Sequence, residues 1–309
     1  MNIEPKVSIL LPIYNYQNIE PTIDSLLDQT FTNFELLICD DGSIPKIIMP
    51  SYDDKRIKIF RNHKNRGLGE TLNRLFDTIS DSTEYFATVE QDDIYKPYFL
   101  DECVEYLDDN PNYGLVSGIS EFVVGDKVTY RFPGMIDLGK DYPVGKEMFL
   151  LNYRRQIKVT QTCMVVRKKV HLKNNLKFSI DYPSVSVDWD YILRFSLISR
   201  IKGLKRNFVI QDRSINRQSL TTKTELVYKT SRKLLINFYK EFPNIIKIKD
   251  YKYALSTQLY LELGSKKFFF RILSLFGNII FIEPDKKRFL RNVIKEISRI
   301  RNYLKVKLR

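Results

Sequence analysis

Seven acidic side chains sit in patterns that could do chemistry. Glu90, Asp92 and Asp93 fall within four positions in VEQDDIY (89–95), Asp40 and Asp41 open DDGS, and Asp188 and Asp190 open VDWDYILR (187–194). Carboxylates this dense suit a hard divalent cation, because such ions take oxygen ligands. No softer site competes. His63 and His171 are the only histidines, and Cys39, Cys103 and Cys163 lie too far apart for a zinc ribbon. An odd, scattered set of cysteines also fits no disulfide framework and points to a reducing compartment.

Each motif has a plainer reading as well. DDGS is a common Asx turn, and EQDD can open the helix announced by Pro97, where acids meet the positive end of the dipole. Asp190 stands four residues before Arg194, so an i,i+4 ion pair accounts for it. Four residues beyond Asp188 stands Ile192, which offers no such pair. Positions two apart on a helix point roughly 200° from each other, so Asp188 and Asp190 cannot both face one pocket. The plainer role for Asp188 is a charge that steadies its helix start, with Ser186 as the cap.

The elements that must carry these residues alternate in kind. VSILLPIY (7–14), FELLICD (34–40), RIKIFRN (56–62) and YFATV (85–89) are short apolar runs suited to buried strands. Between them, IEPTIDSLLDQ (19–29) spaces Ile19, Ile23, Leu26 and Leu27 on one helical stripe, and GLGETLNRLFDTI (67–79) predicts a second helix. Strands alternating with helices predict a mostly parallel α/β sheet covered on both faces. Ligands of such sheets bind beyond the carboxyl ends of the strands. There the first strand delivers Tyr14-Asn15-Tyr16, the second Asp40-Asp41-Gly42-Ser43, and the fourth the acidic stretch. Further on, 114–132 predicts strands around a Gly-Asp turn, 160–167 another strand, and 182–200 a helix with Trp189, Ile192, Leu193, Ser196 and Leu197 on its stripe.

The segments PKVSILLPIYN, SLLDQTFTNFELLICDDGS, RIKIFRNHKNRGLGETLN and EQDDIYKPYFLDECVEYLDDNP occur in this order. They resemble the nucleotide-sugar half of the family 2 glycosyltransferases of GT-A fold, almost unbroken over residues 5–118. The resemblance implies that Asp40 and Asp41 hold the nucleotide base and ribose, with Tyr14 and Asn15 beside them, and that Arg66 approaches a phosphate, where a solvated arginine is the plainer alternative. It implies that Glu90, Asp92 and Asp93 stand for the DxD motif, with Asp92 and Asp93 holding Mn²⁺ or Mg²⁺. A diphosphate leaving group gives that cation its purpose, since it neutralises charge as the glycosidic bond breaks. The start of VDWDYILR matches the family's ED-containing helix, which makes Asp188 the general base of an inverting transfer. Three positions depart from the pattern: Glu90 at the first DxD position, Val187 before the base, and Asn216 where a histidine is usual. Arg213 and Arg217 could compensate beside the diphosphate. The implied reaction moves a sugar from a nucleotide-diphosphate donor, UDP being the commonest in the family, to a hydroxyl of a glycan or lipid-linked acceptor in cell-surface polysaccharide synthesis. A catalytically silent relative is the rival these departures motivate.

With 309 residues, 43% of them hydrophobic, the chain can bury a large core. Its charge divides it. Residues 1–222 carry 29 Lys+Arg against 30 Asp+Glu, whereas residues 223–309 carry 21 against 7, the whole of the +13 excess. This predicts a glycosyltransferase domain over 1–222, its nucleotide-sugar half about 1–118 and its acceptor half about 119–222, followed by a basic helical region, 223–309. KKRFLRNVIKEISRIRNYLKVKLR (286–309) places Leu290, Val293, Ile294, Ile297, Ile300 and Leu304 on one stripe among Lys and Arg, so it can lie on an anionic membrane surface or bury that stripe against the body or another helix. The apolar segment 268–282 is too short to span and is expected to bury its stripe. A nucleic-acid partner is not expected, because the acidic loops of the body would repel phosphate. No secretory signal is apparent, so the expected location is cytoplasmic, peripheral on the inner membrane face through the tail.

Overall fold

The computed structural model describes residues 4–307 apart from 126, 133–139, 156, 158, 184–185, 214–223 and 264–267. The chain forms two compact units, Met1–Met148 with Ile157–Leu220, and Phe149–Gln156 with Thr221–Arg309.

The first unit is built on one sheet. Its strands are β1 (Val7–Ile13), β2 (Phe34–Asp40), β3 (Ile57–Arg61), β4 (Tyr85–Thr88), β5 (Asp93–Tyr95), β6 (Tyr113–Val124), β7 (Lys127–Phe132), β8 (Met164–Arg167) and β9 (Arg200–Asp212). They lie in the order β3-β2-β1-β4-β8-β6-β9-β5, with β7 on the free part of β6. β3, β2, β1 and β4 are parallel, as the alternating pattern predicts. Beyond β4 the sheet turns mixed, since β8 is antiparallel to both β4 and β6 while β6 and β9 run parallel. β1 and β2 are buried on both faces, which is why their sequences are continuous apolar runs and not alternating ones.

Helices α1 (Glu20–Leu27), α2 (Leu68–Phe76), α3 (Phe99–Asp109), α4 (Lys146–Phe149), α5 (Lys168–Lys173) and α6 (Val187–Phe195) accompany these strands. Ile19, Ile23 and Leu26 of the first stripe enter a core shared with β1, β2, α3 and β9, while Leu27 is only partly covered. In α6 the buried side is broader than the predicted stripe, because Tyr191 and Phe195 join Ile192 and Leu193.

The second unit is helical: α7 (Thr224–Glu241), α8 (Ile248–Leu263), α9 (Phe268–Ser274), α10 (Ile280–Ile282) and α11 (Lys286–Lys307), with a π turn over Leu275–Ile279 joining α9 to α10. A further π turn over Leu150–Arg154 contributes to this unit: Phe149 stacks on Phe238 of α7 at 6.0 Å, and Arg154 pairs with Asp250 at 3.3 Å. Leu259, Leu263, Leu275 and Ile279 form a small core. The stripe of 268–282 is buried only in part, for Leu273, Phe276 and Phe281 are at least half exposed, against the expectation that it packs away. Apolar residues occur on every side of this segment, while Leu275 and Ile279 are the ones that enter the small core. No described helix is long and apolar enough to cross a membrane.

Candidate active site

Ile13, Asp40 and Arg61 are level across β1, β2 and β3, so the polar residues after them leave the sheet at one edge. Asp40 is buried there. Its Oδ1 accepts the Ser43 N–H at 2.9 Å, and its Oδ2 pairs with Arg61, which also donates to the Ser43 carbonyl at 3.0 Å. Asp41, equally buried, accepts from Asn62 Nδ2 at 2.7 Å and from the backbone N–H groups of Arg66 and Gly67 at 2.9 Å each. Both carboxylates are therefore well supplied with donors, and they fix the loop. Gly42 between this pair and Ser43 has φ +72°, and a Cβ there would lie 2.3 Å from the Lys64 carbonyl carbon, so the strand-end turn requires glycine.

The β1 loop is tied to the same edge. Asn15, at φ 49°, donates its N–H to Ser43 Oγ at 2.9 Å and accepts from Ile44 N–H at 3.1 Å, while the Tyr14 ring stays accessible. The Tyr14 backbone exchanges two hydrogen bonds with the Gln91 amide, N–H to Oε1 at 2.7 Å and Nε2 to O at 3.3 Å. Gln91 sits between Glu90 and Asp92, so it straps the β1 loop onto the acidic one.

The acidic residues are not a helix N-terminus. Asp93 starts β5, level with Gln211 of β9, and α3 begins only at Phe99. Asp93 is fully buried, its Oδ2 accepting from the Thr162 hydroxyl at 2.5 Å and from Gln211 Nε2 at 2.7 Å. The Glu90 N–H donates to the Tyr95 hydroxyl at 2.8 Å. Glu90, Asp92 and Asp93 offer ligand oxygens that all lie within 4.8 Å of one another. Glu90 keeps solvent-accessible surface although much of the protein lies around it. That surrounding protein, and then the charges of Asp93, Asp92 and Asp188, push its carboxyl well above the ordinary carboxylate range, with Arg213 opposing.

Asp188 thus stands within electrostatic reach of Glu90. It lies half-buried in the first turn of α6, its Oδ1 accepting the Trp189 N–H at 3.0 Å. Asp190 is buried and paired with Arg194 at 2.8 Å, the i,i+4 pair expected of it. Ser186 occupies the capping position, yet its buried hydroxyl makes no capping bond. Behind α6, Tyr191 stacks on Phe178 at 4.5 Å between ring centres and shares a 2.9 Å hydrogen bond with His171, whose burial holds its pKa down to about 4.

Arg66 pairs with Glu70 one turn on, so its side chain is engaged along α2 and its backbone N–H serves Asp41. Arg213 packs over the Phe122 ring at 4.5 Å and donates to Gln211 Oε1 at 3.1 Å, beside the acids. Asn216 and Arg217 lie outside the described residues. Sequence reasoning missed Asn62, Gln91, Thr162 and Gln211. For Asn62 the signal existed, because Arg61-Asn62 ends β3 in polar residues just as Asp40-Asp41 follows β2.

A hard divalent cation fits this donor set. Three carboxylates converge, one is fixed by two neutral donors, and their mutual repulsion is what a positive ion relieves.

Residues 8–174 match the sequence pattern of Glycosyl transferase family 2. Among curated proteins, a UDP-Glc:alpha-D-GlcNAc-diphosphoundecaprenol beta-1,3-glucosyltransferase of Escherichia coli is 30% identical over 137 residues, 40% of this chain and 53% of that one. The chain spans about half the length, or less, of the curated relatives it matches. Among solved structures, TarS 1–349 of S. aureus with UDP-GlcNAc superposes with a TM-score of 0.59 at 17% identity, covering 84% of this chain and 73% of that one. A mannosyltransferase of Pyrobaculum calidifontis with GDP-Man and Mn2+ gives 0.52 at 13%, covering 96% and 88%. The fold expected from the four sequence motifs is the fold of these neighbours.

Proposed function

Since the chain belongs to glycosyl transferase family 2, we propose that it moves a sugar from a nucleoside-diphosphate donor, UDP-linked, to a hydroxyl of a glycan or lipid-linked acceptor during polysaccharide synthesis. The observation that carries this reading is the gathering of Glu90, Asp92, Asp93 and Asp188 in one electrostatic neighbourhood at the carboxyl edge of the sheet. Crowded carboxylates with a raised pKa are what sites that place an ion or a proton have in common.

In this reading residues 1–118 hold the donor and 119–222 present the acceptor. Asp92 and Asp93, with Glu90 beside them, would hold Mn²⁺ or Mg²⁺, Thr162 and Gln211 keeping the Asp93 carboxylate oriented. The cation supplies charge neutralisation for the departing diphosphate. Asp40 and Asp41 shape the nucleoside cradle through the loops they fix, and Tyr14 and Asn15 form its accessible side. Arg213, held beside the acids by Phe122 and Gln211, adds positive charge toward the phosphates. Asp188 accepts the proton of the acceptor hydroxyl as that oxygen attacks the anomeric carbon opposite the diphosphate, which inverts the sugar. The charge of Asp188 is among those that raise the Glu90 carboxyl, which places the proposed base beside the acidic loop.

The test is incubation with a panel of nucleotide sugars, hydroxyl acceptors and Mn²⁺, reading released nucleoside diphosphate. Metal-dependent release with at least one donor and acceptor supports the reading. No release from any combination assigns the chain to binding without transfer.

A further inference from the structure

The helical unit turns apolar side chains to solvent that its own core does not use. α9 and α11 run antiparallel as a hairpin: Arg271 pairs with Glu296 at 2.8 Å, and Phe276 meets Phe289 edge-on with ring centres 6.1 Å apart. The inner sides are occupied, Leu275 and Ile279 packing on Leu259 and Leu263, and Val293 being buried. The outer sides are not. Leu273 and Phe276 of this hairpin are half exposed, Phe281 is 77% exposed, and on α11 Leu290, Ile294 and Ile297 each expose more than half of their surface. Leu290, Ile294 and Ile297 follow i, i+4, i+7 spacing and form one row. Exposed Lys287, Arg291 and Lys295 form a second row, about a quarter turn round the helix at 3.6 residues per turn. Two other cations of α11 are used internally: Arg288 lies over Tyr253 at 4.0 Å and donates to Thr257 at 2.6 Å, and Arg299 pairs with Glu296.

Apolar rows of this extent mark a surface that something covers. A second copy of the chain is a poor cover, because residues 223–309 carry 21 Lys+Arg against 7 Asp+Glu and two such surfaces would oppose like charge. An anionic bilayer complements both rows at once, taking apolar side chains to the acyl boundary while the long cationic stems reach its phosphates. We propose that the α9–α11 hairpin docks the protein onto anionic lipid, with Leu290, Ile294 and Ile297 and the outward residues of α9 and α10 entering the interface, and Lys287, Arg291 and Lys295 binding headgroup phosphate. The hairpin, and not the last helix alone, is the docking element. The contact is peripheral, as no described helix is long and apolar enough to cross. The inference deepens the proposed activity, in that a bilayer is where a lipid-borne hydroxyl is met, yet it is tested without it.

The experiment is co-sedimentation of the full chain with vesicles of phosphatidylcholine, alone or mixed with phosphatidylglycerol. Binding to the mixed vesicles only is expected, reversed in 1 M salt as the screening length falls from about 8 to about 3 Å. Ile294→Asp, Phe281→Asp and the triple change Lys287→Glu, Arg291→Glu, Lys295→Glu should each weaken binding by at least about tenfold. All lie at exposed positions, so circular dichroism should be unchanged. Equal binding to neutral vesicles, no binding to anionic ones, or retention of binding by these variants overturns the proposal. So does a concentration-dependent dimer that Ile294→Asp dissolves. Nucleoside-diphosphate binding, measured separately on the same variants, should be unchanged; its absence from the wild type alongside intact vesicle binding would defeat the activity reading and leave the docking surface standing.

Discussion

Asp40–Asp41 and Glu90–Asp93 both follow parallel strands at one edge of the sheet, but the first pair is surrounded by donors while the second repels itself. Asp40 and Asp41 are held by Arg61, Asn62 and three backbone N–H groups, and they are finished by folding alone. Glu90, Asp92 and Asp93 hold their ligand oxygens within 4.8 Å, and the surrounding protein, then the charges of Asp93, Asp92 and Asp188, raise the Glu90 carboxyl. Similar residue types thus differ in surroundings: in one loop the charge is taken up by donors of the protein, while in the other three carboxylates lie close together. The distinction is made by what the neighbouring strands supply.

The largest effect should fall on Asp188, which belongs to the second group by proximity. Asp188→Asn is expected to lower transfer by roughly 10²- to 10⁴-fold, the range of a lost general base, with nucleotide affinity unchanged. Steady-state release of nucleoside diphosphate checks it; near wild-type transfer would break the assignment. Next comes Asp41→Ala, which strands buried donors and should cost about 2–4 kcal/mol of stability, seen as a fall in thermal midpoint of about 2–4 °C per kcal/mol. If Asp41 belongs to the built loop, the remaining folded protein keeps its cation affinity. Asp92→Asn should do the reverse, sparing the thermal midpoint and weakening Mn²⁺ by at least the ~10–100-fold seen when even outer partners of a metal are disturbed. Thr162→Val should show a smaller loss of the same kind, because it removes one donor that orients the Asp93 carboxylate while Gln211 keeps its own. Calorimetric Mn²⁺ titrations decide both.

The smallest effect is a pH signature. With its folded pKa raised above the unfolded value of 4.5, Glu90 binds more protons in the folded state, so its contribution favours folding at low pH and is lost as pH rises from about that value upward. The thermal midpoint of metal-free protein should therefore show a downward component over this range, which saturating Mn²⁺ or Glu90→Gln removes. The Asp40–Asp41 loop should contribute no cation-dependent component.

Much of the first unit was legible because its information is local. Continuous apolar runs in β1 and β2 and the stripe of α1 announce themselves within a window of ten residues, and their polar ends mark the site edge. β5 was not legible. Asp-Ile-Tyr is too short for any period to show, and it is a strand only because β9 lies beside it. The donors on Asp93 were hidden for the same reason, Thr162 being 69 and Gln211 118 residues away. Asp188 could be separated from Asp190 by the i,i+4 rule, and the Asp190–Arg194 pair formed as that rule requires. The capping role expected of Ser186 did not follow, since a suitable residue type does not fix the direction of its hydroxyl. In the tail, periodicity identified the helices but not which side of each faces the core. Residues 268–282 are apolar on every side, so periodicity could not say which of them enter the core.

The most direct measurement is a calorimetric titration of UDP into wild-type protein and Asp92→Asn, each with Mn²⁺ and with chelator. Binding by the wild type that requires Mn²⁺, and its loss in Asp92→Asn, is the result expected if the acidic loop completes its charge with a cation to receive a diphosphate. Equal UDP affinity in chelator and in Mn²⁺, unaltered by the substitution, would contradict it.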